Sequence, residues 1–168
     1  MNKLLYLIEE MPAYRQLMGE LEHGGSTRVA VLDAAKPYLV AALYRSLHRP
    51  VMVVTAQPES AKKLHEQLSV WCDSSQLKLL TEPDALPYES IASNDTTEIE
   101  RLQVLSSLAN IAGDDSTPTT VLPLIISSAP AFMQKVAPYS DFAAACHTIK
   151  LGTEVEPFDL LSQWQAIG

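Results

Sequence analysis

Three short apolar runs, Arg28 to Leu32, Val51 to Thr55 and Leu122 to Ser127, constrain the fold most, because each has the length of a strand and is too short for a helix. None alternates strictly with polar residues, so each reads as a strand covered on both faces, despite Pro123 near the start of the last. Between the runs the period changes. Leu39, Leu43 and Leu47 recur as one helical face, and Pro58 opens a second helix with Ala61, Leu64, Leu68 and Trp71 inward and Lys62, Lys63 and Glu66 outward. Lys78-Leu79-Leu80 is a further strand candidate. Strands alternating with helices imply an α/β fold, a mainly parallel sheet between two helical layers, or three-layer αβα.

The rest of the chain fills in around this frame. Pro12 opens an amphipathic helix with Tyr14, Leu17, Met18 and Leu21 on one face, stopped by Gly24-Gly25. Pro83 to Ser93 fits neither period and reads as an irregular crossing. A long helix begins near Asp95 or Thr96, where Thr97 to Glu100 has capping-box spacing, carries Ile99, Leu102, Leu105 and Leu108 inward and ends at Gly113. Asp114 to Thr120 is polar and turn-prone, the pattern of a mobile surface loop. After Pro130 a short helix through Phe132, Met133 and Val136 leads to Pro138, where the character changes. Cys146 to Leu151 alternates like a half-exposed antiparallel strand, and Pro157 opens a last helix with Phe158, Leu161 and Trp164. The expected division is therefore a first domain over residues 1–138 and the start of a truncated second domain over residues 139–168.

Composition excludes several function classes. Among 168 residues, 20 acidic against 12 basic side chains leave a formal net charge of −8, and the basic residues are scattered. Such a surface repels a phosphate backbone, so strong direct binding of nucleic acid is not expected. The 2 cysteines, Cys72 and Cys146, lie far apart without ligand-spaced histidines, which argues against a disulfide framework and against a zinc site. His23, His48, His65 and His147 have no partner at helical ligand spacing. The paired acids Glu98 and Glu100, and Asp114 and Asp115, read as solvated faces, and no Gly-x-Ser-x-Gly elbow occurs. The apolar run Leu4 to Ile8 is too short for a signal peptide and no stretch is long enough to span a bilayer. A cytoplasmic protein without resident metal or cofactor is the expectation.

The first strand, loop and helix stand where a nucleotide-binding fold carries Gly-x-x-x-x-Gly-Lys-[Ser/Thr], whose glycines let successive backbone N–H groups converge on phosphate. Here Ala30 and Ala35 fall at the glycines, Lys36 at the lysine and Pro37 at the hydroxyl. Alanine in the left-handed conformation costs about 1–2 kcal/mol, and proline supplies neither a hydroxyl for Mg²⁺ nor an N–H for phosphate. The loop reads as a degenerate phosphate-binding position. Lys36 is left either to attract an anion at the helix N-terminus or to sit solvated beside a turn. A receiver domain lacks its acidic cluster here, since Asp33 is alone and no lysine closely follows Ile126. A dinucleotide or methyltransferase turn lacks its glycines, because the strand is followed by Asp33-Ala34-Ala35-Lys36.

One local feature stands apart. Leu86-Pro87-Tyr88-Glu89-Ser90 sets an aromatic ring in a proline-bounded irregular stretch, the pattern either of a fixed functional loop or of a packed turn. Together with its flanks, Glu82-Pro83-Asp84-Ala85 ahead of it, the segment is similar to the acid- and proline-flanked Leu-Pro-Tyr-Asp segment of the bacterial transcription-repair coupling factors. Thr97-Glu98-Ile99-Glu100-Arg101-Leu102-Gln103-Val104-Leu105 resembles the helix that follows it in that family. Leu124 to Pro138, with Met133-Gln134-Lys135, resembles the family's strand and Met-Gln-Arg helix, and Leu151-Gly152 with Leu160 to Gly168 looks like the start of its second domain.

The resemblance spans nearly the whole chain and implies a UvrB-like first domain (domain 1a) with a helicase-like, degenerate P-loop NTPase fold, followed by the start of a domain like UvrB domain 2. It further implies a parent protein that displaces stalled RNA polymerase by ATP-driven translocation on DNA and recruits nucleotide excision repair through UvrA. ATP and Mg²⁺ would act in a motor outside these residues, so this chain is expected to be a non-catalytic scaffold making intramolecular contacts. Two alternatives stand beside it. One is an ATP-dependent helicase or NTPase domain in which Lys36 still holds nucleotide, and the other is a stand-alone protein-binding α/β domain unrelated to repair.

Overall fold

A computed structural model describes residues 2–83, 95–113, 122–146, 152 and 154–167, and the chain divides into two compact units, residues 1–134 and 135–168. The first unit is α/β. Its centre is a parallel sheet of three strands, β1 (Val51–Thr55), β2 (Leu77–Leu80) and β3 (Leu124–Ser128), in the order β1-β3-β2. The last strand in sequence is thus the middle one in space. Leu124 aligns with Val51 on one side and Leu77 on the other, and Ile126 with Val53 and Leu79.

Because side chains alternate across a strand, this register sorts them onto two faces. Leu124 and Ile126 join Leu77, Val51, Val53 and Leu79 in the main core, together with Ala41, Ala42, Ala61 and Leu68 from the helices. Ile125 points the other way and meets Leu80 and Val104, with Leu108 packed against them. All five residues of β3 are buried, the environment that an uninterrupted apolar run demands.

The helices are α1 (Asn2–Glu9), α2 (Pro12–Glu22), α3 (Lys36–Leu47), α4 (Pro58–Leu68), α5 (Asp95–Gly113) and the short α6 (Ala129–Phe132). Proline stands in the first turn of α2, α3, α4 and α6, where its missing N–H costs nothing and its fixed φ suits the helix. In the second unit α7 (Tyr139–Ala145) and α8 (Pro157–Ile167) are helical, and Phe158, Leu161 and Trp164 are exposed on α8.

Helix α2 ends in a left-handed turn. Gly24 takes φ +73°, its N–H bonds the Leu21 carbonyl, and the Gly25 N–H bonds the Glu20 carbonyl at 3.0 Å, the pairing of a Schellman motif. A Cβ at Gly25 would lie 2.8 Å from the Glu20 oxygen, so this position requires glycine. His48, after α3, takes the same left-handed region with φ 46° but carries a side chain. Glycine there removes a strain of about 1–2 kcal/mol, part of which the more flexible unfolded chain takes back. His48→Gly is therefore expected to raise the urea midpoint, by a net gain of about 0.5–1 kcal/mol. An unchanged or lower midpoint would show that the imidazole compensates.

Several expectations are corrected. Arg28–Leu32 forms no strand: it runs unpaired, with Leu32 81% exposed, and Thr27 to Val31 lie along Tyr14, Leu17 and Leu39. A short apolar run has the length and composition of a strand, but those alone do not supply a pairing partner, and four of these five residues are left exposed. The Schellman turn before it and the turn after it hold it at both ends. β1 is an edge strand and is only half covered, since Met52 and Val54 face solvent. On α3 the buried residues are Pro37, Ala41 and Ala42, while Leu39 and Leu43 are partly buried at its flanks. On α5 the buried contact is Val104, not Ile99 or Leu102, which are both exposed. That helix runs Asp95–Gly113 as expected, and only the capping box is displaced, since Thr97 lies inside it. The helices α1 and α7 had no counterpart in the sequence reading. Residues 84–90 and 91–93 of the irregular crossing, which include Leu86-Pro87-Tyr88-Glu89-Ser90, lie outside the described residues, as do Asp114 to Thr120 and residues 147–151 of the expected strand after Cys146.

Candidate functional site

The phosphate-loop position is built as a helix entry. Leu32 is extended (φ −62°, ψ 141°), Asp33–Ala35 makes one 3₁₀ turn, and Ala35 is right-handed (φ −94°, ψ −9°) as α3 begins. The Ala35 N–H donates to the Leu32 carbonyl at 2.9 Å, and the Lys36 N–H donates to the Asp33 carbonyl. Pro37 brings no N–H and is buried. A phosphate cradle needs successive N–H groups turned outward together, whereas those of Ala35 and Lys36 are spent on closing the turn. Among the described non-glycine residues only His48 has positive φ, so Ala30 to Pro37 contains no left-handed residue of the kind a glycine loop provides.

Lys36 does not reach over this turn. Its Nζ lies 2.6 Å from Asp33 Oδ1, three residues back, with the two side chains 56% and 93% exposed. The hydrogen bond and charge of Lys36 hold the Asp33 carboxyl below its usual range, and Lys63 contributes in the same direction. An exposed pair of this kind contributes little to stability. It does give the Lys36 ammonium an anionic partner from its own turn. Ala30 and Ala35 carry only methyl groups, so the chemistry available at this position is a single neutralised ammonium.

In open parallel sheets ligands bind outside the carboxyl ends of the strands, and here those ends are occupied by hydroxyls. The Thr55 hydroxyl donates to the Gln57 carbonyl at 2.9 Å. Ser127 Oγ donates to the carbonyls of Ser128 at 3.1 Å and Leu80 at 3.4 Å. Ser128 Oγ accepts the Ala131 N–H at 3.2 Å, capping α6, and donates to Glu82 Oε1 at 3.4 Å. The Arg101 guanidinium donates to the Thr81 carbonyl. Lys62, Thr81, Glu82, Thr97 and Ser128 line a crevice of about 320 Å³ at this end, and the buried Thr81 Oγ1 has no hydrogen-bond partner among the described residues.

Sequence reasoning did not assemble this crevice. It placed Lys62 on an outward face and read Ser127 only as the end of an apolar run. The Ser128-Ala129-Pro130 order was the available signal, a serine N-cap two residues ahead of a proline in the first turn.

A second cavity, of about 480 Å³, lies at the opposite, amino ends of the strands and is lined by Tyr44, Arg45, His48, Trp71, Cys72 and Asp73, among others. Burial pushes the Cys72 thiol above its ordinary range, with Asp73 adding to the effect, so at neutral pH it is a protonated thiol and a poor nucleophile. The Tyr44 hydroxyl donates to the Leu122 carbonyl, which fixes the ring as a strut beside β3. The Arg45 guanidinium stacks 3.9 Å from the Tyr6 ring centroid. Tyr38 and Trp71 meet edge to face at 5.2 Å. These groups bind one another and tie α1, α3 and the turn after α4 together.

Among the described residues no group of three or more His, Cys, Asp and Glu side chains is placed to hold a metal ion, and no helix is long and apolar enough to cross a membrane. His65 sits partly buried on α4 with its pKa pushed down by desolvation against the opposing pull of Glu100 and Glu66. Comparison of the chain with family models, with curated proteins and with solved structures finds no match.

Proposed function

We propose that this chain is a non-catalytic scaffold module, the amino-terminal UvrB-like region of a transcription-repair coupling factor. The observation that carries the non-catalytic half is the Ala30–Pro37 geometry, in which Lys36 is paired to Asp33 and the N–H groups of Ala35 and Lys36 are used within the turn. The sequence resemblance from Glu82 to the carboxyl end carries the assignment to that family. The two lines of support are independent, since one concerns a local geometry and the other an order of motifs.

In this reading the parent protein removes stalled RNA polymerase at DNA lesions and recruits excision repair through UvrA, with ATP and Mg²⁺ acting in a motor elsewhere in the same polypeptide. The α/β unit then serves as a rigid body. It positions the domain that begins near residue 138 and presents surfaces to the other domains. The acidic balance of the chain fits a partner-facing module better than a DNA-tracking one.

The reading frame beyond codon 168 tests the family assignment. Helicase motor motifs downstream, including an intact Gly-x-x-x-x-Gly-Lys-[Ser/Thr], are expected. A stop codon at that point would overturn the assignment in favour of a stand-alone domain.

A further inference from the structure

We draw no further inference here: the strongest candidate, the crevice at the carboxyl ends of β2 and β3 with the buried Thr81 hydroxyl in its wall, is flanked in sequence by residues 84–94, which lie outside the described residues, so nothing in the structure shows what covers it.

Discussion

Replacing Ile126 by alanine is expected to lower the unfolding free energy by about 2–5 kcal/mol, the range for truncating a fully buried aliphatic side chain. Ile126 is 0% exposed, occupies the middle of the central strand, and aligns with Val53 on one side and Leu79 on the other. The main core closes over it from α3 and α4. Relaxation into the space left behind requires two flanking strands and two helices to move together, which places the cost toward the upper part of that range. The control is Met52→Ala on edge strand β1. Met52 is 38% exposed on the less covered sheet face, so its truncation forfeits only part of a side chain's burial, about 1 kcal/mol or less. Urea denaturation followed by circular dichroism separates the two. Equal losses at both positions would contradict the assignment of β3 as the centre and β1 as the edge.

The second large effect comes from adding volume. Ala42→Leu is expected to cost about 1–3 kcal/mol, or more if the helix is displaced, because close-packed interiors accommodate extra methylenes only by strain. Ala42 is 0% exposed and lies in the main core beside Ala41, on a helix that packs against α1, α2 and α4. Small side chains at these positions let the neighbouring elements approach closely. Leu43→Met, at a partly buried flank of the same helix and nearly volume-conserving, serves as the contrast and should change stability by less than about 1.5 kcal/mol. If Ala42→Leu were neutral or stabilising, the face of α3 turned to the core would be misassigned.

That face shows what the sequence made legible and what it hid. The helix itself was readable from the recurrence of Leu39, Leu43 and Leu47, but its inward face was not, because a rule that seeks large apolar residues overlooks Ala41 and Ala42. The inward face of α5 is hidden in the same way: the larger Ile99 and Leu102 are exposed, whereas Val104 packs with Ile125 and Leu80. Strands β1 and β3 were legible as short apolar runs, and β2 from Lys78-Leu79-Leu80. Their spatial order was not, since nothing local to Leu124–Ser128 declares that it inserts between the two earlier strands.

Arg28–Leu32 was the instructive miss. Its composition matches β1, yet it stays outside the sheet and largely exposed, with Val29 50% and Leu32 81% exposed, and nothing in the local pattern distinguishes the two outcomes. The turn that follows shows no left-handed residue, as the absence of glycine from Ala30 to Pro37 suggests. The Lys36–Asp33 pairing was also available in outline, as opposite charges three residues apart at a helix entry. The carboxyl-end crevice was not, because Lys62, Thr81, Thr97 and Ser128 come from four separate segments of the chain.

The central claim, that this chain does not operate a nucleotide, is tested most directly by titrating it with ATP and Mg²⁺ in a calorimeter at near-physiological salt. The expected result is no saturable heat at millimolar ATP, for the chain as it stands and for Lys36→Ala alike. Saturable binding in the micromolar range that Lys36→Ala abolishes would contradict the account, because it would require the ammonium to leave Asp33 and the turn to open its N–H groups toward phosphate.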